Sequence, residues 1–564
     1  MKRLGTLLVL VTCGALLLSH LTGCKRQRPS ARPGVLTVSV EQQASWVRNF
    51  NPLVAAGGAR WPTLGGVYEP LLIFNSVQDR YEPWLATEHR WGADNRALHF
   101  EVRDGVQWSD GKPFSAQDVV YTFELLKEHP AMDTGGVWSH LSKVSAQGST
   151  VTFDFKHPFV PALQAIAQQV IVPKHVWSKV ENPVAFANED PVGTGAFTQI
   201  LTFQNQIYEL GRNPHYWQKD RVSVEVLRFP AFPSNDQANL ALVSGEVDWA
   251  GNFVPAIDRI FVDRDPENHG YWFPLMGSTV FLYPNTTKAP FDKPEIRKAL
   301  SMAIDRKQMV KVAMYNYTEP ADATGLSQTF DAWRDERVTK ANQWTAHNPD
   351  QANAILDKAG LTKGPDGIRR DAKGKPLTFE LIVVSGWSDW VRAAQITARN
   401  LSEVGIDARV KTYDFGAWFN KLQTGQFELA ISWSVEGQTP YDFYRWLMSS
   451  KTVKPIGETS GGNWHRFAEP RADEIFSTFE VTSDRKKQQE LANQLQALFA
   501  AQAPAIPLFP NPSWGAYNTA RFKGFPTDQN PYAQLSPNKL PESMLVLTRL
   551  RPRGAPDQPA TAGR

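Results

Sequence analysis

"VRDGVQWSDGKPFSAQDVVYTFELL", Val102–Leu126, specifies two turns and a helix start, and carries no obvious catalytic residue. Just upstream, Leu98, Phe100 and Val102 alternate with His99, Glu101 and Arg103, the pattern of a half-buried strand. Asp104-Gly105 and Asp110-Gly111 are turn signals, and Val106–Trp108 between them reads as a short return strand. Ser115 with Asp118 three residues on has the spacing of a capping box. Val119, Val120, Phe123 and Leu126 then line one helical face, and Val151, Phe153 and Phe155 alternate as a further strand. Residues 66–189 therefore read as a compact α+β unit.

Downstream, helices and strands interleave. Pro294 opens a helix with Ile296, Ala299, Leu300 and Ala303 on one side. Asn348-Pro349 opens another, ended by Gly360. Val391, Ala394, Ala398, Leu401 and Val404 form a stripe stopped by Gly405. Ile406–Val410, Phe427–Trp433 and Ala505–Phe509 have strand spacing, and a helix spans Asp484 to Ala501. This alternation predicts an α/β fold with βαβ crossovers and a largely parallel sheet.

The ends speak of export. Met1-Lys2-Arg3, the apolar run Leu4–Leu18 and Leu21-Thr22-Gly23-Cys24 have the order of a secretory signal, residues 1–23. The run is too short for an ordinary membrane-spanning helix. Leu-Thr-Gly-Cys resembles the lipobox that places a lipid on Cys24. Cys13 would leave with the signal, so the mature chain would hold neither a free thiol nor a disulfide. Residues 24–34 read as a flexible tether, and 551–564 as a disordered tail. Lys and Arg number 60 against 57 Asp and Glu, a net charge of +3 with no basic block beyond the tether. Nucleic-acid binding is not expected from that balance.

Motifs for catalysis are missing. There is no G-x-x-x-x-G-K-[ST], no G-x-G-x-x-G after a strand, no G-x-S-x-G and no H-E-x-x-H. The sequence predicts no metal, no cofactor and no enzyme, although a surface glycoside hydrolase using two cleft carboxylates is the competing enzymatic reading.

The quoted stretch resembles the signature of the ABC-importer solute-binding proteins of the peptide type (family 5). "VYEPLL" at Val67, "GTGAF" at Gly193, "GRNPHYW" at Gly211, "SGEVDW" at Ser244, "KAPFDKPEIRKALSMAIDR" at Lys288, "ANAILDKAGL" at Ala352, "GIDARV" at Gly405 and "GQFELAISW" at Gly425 follow in that family's order. The resemblance implies a two-lobed periplasmic-binding-protein clamp, large and of type II, with an additional α+β domain. Lobe one would use 35–65, 190–275 and 510–550, the additional domain 66–189, and lobe two 276–509. It also implies hinged closure on a ligand and delivery to a membrane permease with its ATPase subunits. The protein would be a lipid-anchored monomer on the periplasmic or cell-surface side of a bacterial membrane, serving transport or sensing.

Family members take peptides, sugars or metal complexes, and two ligand classes compete here. The family's peptide binders hold a peptide's amino terminus with an aspartate shortly after the strand that here ends in Trp433. This sequence has no Asp at that place, and Glu436 is the nearest acid. "TPYDFYRWLMSS" at Thr439, "NWHRF" at Asn463, "PAIPLFPNPSWGAYNTARFKGFP" at Pro504 and "MLVLTRLRPR" at Met544 resemble the branch that binds β-linked glucose oligomers. Composition leans the same way, with 19 Trp against 14 Tyr; an indole face packs on a sugar ring and its N–H reaches a hydroxyl. The candidate ligand contacts are Trp46, Asn49, Trp387, Trp433, Glu436, Tyr441 and Trp464, with Phe415 and Trp418 open between cleft and core. Trp108 and Trp249 are expected to be packing residues.

Overall fold

The alternation at 98–102 is the strand Ala97–Val102, with Leu98, Phe100 and Val102 facing inward. It pairs antiparallel with Ala86–Trp91 and with Thr150–Phe155, and the latter pairs with Leu141–Gln147. Helix Ala116–Glu128 covers this four-stranded sheet, and Phe123 meets Phe153 edge-on with ring centroids 4.7 Å apart. The helix start is fixed by Asp118, whose carboxylate accepts from the Ser115 backbone N–H at 2.9 Å and from the Lys174 N–H at 3.0 Å. Both Asp-Gly turns hold their glycines at positive φ, +76° for Gly105 and +82° for Gly111. Trp108 is fully buried. The Ser109 N–H donates to the Gly193 carbonyl at 2.9 Å. A Cβ on Gly193 would lie 1.9 Å from the Val67 carbonyl oxygen, an approach that only glycine permits. The signature turn is thus a joint: it locks the additional domain to the chain that leads into lobe one.

The structure, a computed structural model, describes residues 32–40, 42–54, 63–133, 135–276 and 278–556. The signal, Cys24 and most of the tether lie outside the described residues. Among the described residues, no helix is long and apolar enough to cross a membrane.

Lobe one is built on a seven-stranded sheet in the order His269–Tyr271, Ala516–Asn518, Trp249–Ala250, Val35–Ser39, Val226–Pro230, Ile207–Arg212 and Phe197–Gln204. Lobe two is built on a five-stranded sheet in the order Asp407–Tyr413, Thr378–Val384, Leu429–Trp433, Thr279–Pro284 and Ile506–Pro510. The expectation of a largely parallel sheet is overturned, because both sheets are mixed. In lobe one only Val35–Ser39 and its two neighbours run parallel. In lobe two the first three strands are parallel and the other pairings antiparallel. The cause is topological. The strands that enter and leave lobe two, 279–284 and 506–510, both join lobe one at the same end, so they must run in opposite directions. The hairpin 197–212 adds another antiparallel pair.

The two crossings are bound to each other. Trp272 N–H donates to Gly515 O (2.9 Å), Ser513 N–H to Pro274 O (2.9 Å) and Asn511 N–H to Ser278 O (2.7 Å). Each lobe keeps its own apolar core on either side of these crossings. The tail needs one correction: Arg551–Pro552 pairs as a strand with Phe522–Lys523, so order extends past 550. The reason is that Arg551 is tied down through the carbonyls of Arg221 and Thr548.

Candidate functional site

Three parallel strands of lobe two end together, at Val384, Tyr413 and Trp433. Loops at the carboxyl ends of such strands form the binding edge of open α/β sheets. Each end here delivers aromatic rings. Trp387 caps helix Ser388–Glu403. Asp414 caps helix Phe415–Gln423, accepting from the Ala417 N–H at 3.0 Å, and that helix carries Phe415, Trp418 and Phe419. Trp464 comes from a loop pinned by Asn463, whose amide donates to Ser449 O (3.0 Å) and accepts from the Phe467 N–H (2.9 Å).

Trp433 is the centre of this cluster. Its ring centroid lies 5.3 Å from Trp418, 5.7 Å from Trp464, 6.0 Å from Trp387 and 6.0 Å from Phe419. Phe415 lies 6.4 Å away and 9° from parallel. The indole N–H groups of Trp387, Trp418 and Trp464 are enclosed and have no hydrogen-bond partner. Buried Trp N–H groups usually find one. Trp418 and Trp464 are 0% and 2% exposed and belong to the lobe-two core, so they back the cluster, while Trp387, Phe415, Phe419 and Trp433 are its partly exposed rings.

The facing wall comes from the carboxyl ends of lobe one's parallel strands. Asn235, which opens helix Asn235–Val243, donates its backbone N–H to Gly386 O at 3.0 Å and its amide to Asp389 Oδ1 at 3.2 Å. Burial pushes the Asp389 carboxyl up to about 6, while the N–H groups of its own helix start hold it down. Ser39, Asn252 and Asn239 form a chain of hydrogen bonds at 3.3 and 2.8 Å. Asn538 donates to Gly251 O at 2.7 Å, and its own amide oxygen is enclosed without a partner. Lys539 pairs with Glu436 across the two lobes. The additional domain also reaches in: Gln164 Oε1 accepts from the Gln438 N–H at 3.2 Å. Among the described residues, no group of three or more His, Cys, Asp or Glu could hold a metal ion.

Of the residues singled out in the sequence, the structure brings Trp387 and Trp433 to one partly exposed face with Glu436 on the same edge, while Trp464 touches Trp433 from within the lobe-two core, where Trp418 also lies. The other three stand elsewhere. Trp46 is buried in lobe one, edge-on to Tyr208 at 5.2 Å, with its indole N–H donated to Phe229 O at 3.0 Å. The loop after the first strand folds back over the 197–212 hairpin, where the Trp46 backbone N–H donates to Asn205 O at 2.7 Å. Asn49 makes a local turn, accepting from the Asn51 N–H at 3.0 Å. Tyr441 faces the lobe-two core because helix Pro440–Met448 turns that side inward; its hydroxyl donates to Glu480 at 2.7 Å. Trp249 packs as expected, with its N–H on Leu535 O. Sequence reasoning missed Asn235, Asp389, Phe419 and Lys539. Phe415 and Phe419 share a helix face with Trp418, a signal that helical spacing could have supplied. The partnership of Lys539 with Glu436 spans 103 residues and has no local signature.

Two lobes joined by paired crossings, with strand ends facing each other across a ring-lined cleft, define a periplasmic-binding-protein clamp of type II with an additional α+β domain. The chain belongs to the bacterial extracellular solute-binding proteins, family 5, whose middle-region model matches residues 80–455. It is 25% identical over 404 residues to the nickel-binding periplasmic protein of Escherichia coli (strain K12), covering 68% of this chain and 72% of that one. It is 24% identical over 537 residues to the periplasmic murein peptide-binding protein MppA of the same strain, covering 89% and 93%. Among solved structures it resembles the mannohexaose-bound periplasmic oligopeptide-binding protein of an oligopeptide ABC transporter from Thermotoga maritima. That match has a TM-score of 0.86 at 26% identity, covering 93% of this chain and all of that one.

Proposed function

We propose that this protein is the substrate-binding component of an ABC importer. It captures an uncharged oligosaccharide by closing its lobes and presents it to a membrane permease with its ATPase subunits. The observation that carries the ligand class is the partly exposed aromatic face of Trp433, Phe415, Phe419 and Trp387, with the unpartnered Trp387 indole N–H beside it. Ring stacking with N–H donation to hydroxyls is the chemistry that such a surface supplies. The lobe-one wall adds amides, which serve hydroxyls without a buried charge. The mannohexaose held by the Thermotoga relative is consistent with this reading, and the tail's resemblance favours β-linked glucose chains. Export through residues 1–23 and a lipid on Cys24 would hold the body on the outer face of a membrane; the export part of this agrees with relatives whose names state a periplasmic place.

An oligopeptide is the second reading, favoured by relatives whose names state peptide binding. Thermal unfolding of the body cut after Cys24, against cello-, manno-, xylo- and malto-oligosaccharides and di- to pentapeptides, separates the two. A ligand bound only by the folded state raises the midpoint. A rise with one saccharide series and none with peptides supports the proposal; a rise with peptides alone replaces it with the second reading.

A further inference from the structure

Glu436 is the one acid in the loop 434–439, which links strand Leu429–Trp433 to helix Pro440–Met448 at the edge where the Trp surface lies. Lys539 belongs to the C-terminal segment of lobe one. Its position is fixed on both sides: Asn538 is tied to Gly251 O at 2.7 Å, and the Lys539 carbonyl accepts from the Ser543 N–H at 2.7 Å. The Lys539 ammonium sits on Glu436 Oε2, and the two side chains are only 25% and 34% exposed. Glu542 lies near Lys539 as well. Its oxygens are already engaged, Oε1 by the Gln534 N–H at 3.0 Å and Oε2 by the Ser76 hydroxyl at 2.7 Å. The next acid along, Asp442, sits beneath Gly437 and acts on Tyr81 of the additional domain.

We propose that Lys539 is a specificity-determining residue: its ammonium group occupies the carboxylate that the 434–439 loop presents to the cleft, and so sets the closed clamp against ligands with a free ammonium group. The inference rests on the cleft assignment above and adds how the charge class of the ligand is chosen. A ligand ammonium seeks a carboxylate, through a charge-assisted hydrogen bond. To reach Glu436 it must displace Lys539, leaving a largely enclosed ammonium that loses its ion-pair partner and keeps only Glu542, whose oxygens are already hydrogen-bonded, as a nearby counter-charge, which is costly. An uncharged ligand leaves the pair intact. Selection here comes from an element that disfavours the wrong ligand as much as from contacts to the right one.

The test is calorimetric titration of trialanine, N-acetyl-trialanine and cellopentaose into wild type, K539M, K539R and K539M/E436Q at pH 7. K539M keeps most of the side-chain stem and removes the charge, K539R keeps the pair, and K539Q replaces K539M should the latter not fold. The expected result is that K539M binds trialanine at least tenfold more tightly than wild type and K539R, that acetylation abolishes the gain, and that K539M/E436Q loses it. Equal trialanine affinity in wild type and K539M overturns the proposal, as does a gain that survives acetylation or E436Q. The cellopentaose arm reads the function proposal separately: silence there in wild type counts against cello-oligosaccharide binding, while the trialanine arms still decide the role of Lys539.

Discussion

Asn235 of lobe one donates its amide to the Asp389 carboxylate of lobe two at 3.2 Å, and both side chains are buried where the lobes meet. The contact joins the two lobes, so opening them is expected to break it and return Asp389 to water. Burial raises its pKa to about 6 in this form, against Arg392, which draws it down. A carboxyl with a higher pKa closed than open takes up a proton on closing. Closure, and with it ligand affinity, should strengthen as pH falls from above about 6 and level off below ~4, the ordinary Asp value. We expect on the order of a 10- to 100-fold gain between pH 7 and 4.5. D389N should lose most of that slope in titrations across pH; an unchanged slope would remove Asp389 from the linkage.

Gly386 tests closure without touching the ligand surface. A Cβ there would stand 2.6 Å from the Pro233 carbonyl oxygen of lobe one. G386A should weaken ligand binding by ~1–3 kcal/mol, the cost of an overpacked contact. Wild-type affinity in G386A would mean that the lobes meet elsewhere when ligand is bound.

Trp433 touches every other member of the ring cluster named above. W433A should cost ~1–3 kcal/mol of binding, in the range of a buried aromatic contact, and calorimetry reads this directly. Unchanged affinity would place the ligand off this surface.

Tyr441 is the contrasting case. Its hydroxyl serves Glu480 inside lobe two. Y441F should lower unfolding stability by about 1 kcal/mol and leave affinity unaltered. A loss of affinity with stability intact would return Tyr441 to the cleft.

The local elements were legible because their causes are local. Asp-Gly turns, the Ser115–Asp118 helix start and the 98–102 alternation each act within a few residues. The mixed strand directions were not, because the antiparallel pairing of 279–284 with 506–510 is imposed by where the chain enters and leaves lobe two, a constraint spanning more than two hundred residues. The site divided in the same way. Trp387 and Trp433 sit at strand ends and could be placed by strand spacing alone. Trp46 also follows a strand, but the hairpin 197–212 captures it, and nothing near Trp46 in sequence announces that. Lys539 and Asn235 belong to the site only through tertiary partners.

The central claim is that this clamp holds a neutral saccharide chain against Trp433. Intrinsic tryptophan fluorescence of the body cut after Cys24, titrated with cello- and manno-oligosaccharides and with trialanine, tests it most directly, because the ligand would lie on the fluorophores. A saturable change with a saccharide series and none with trialanine is the predicted result. A saturable change with trialanine and none with any saccharide would contradict it.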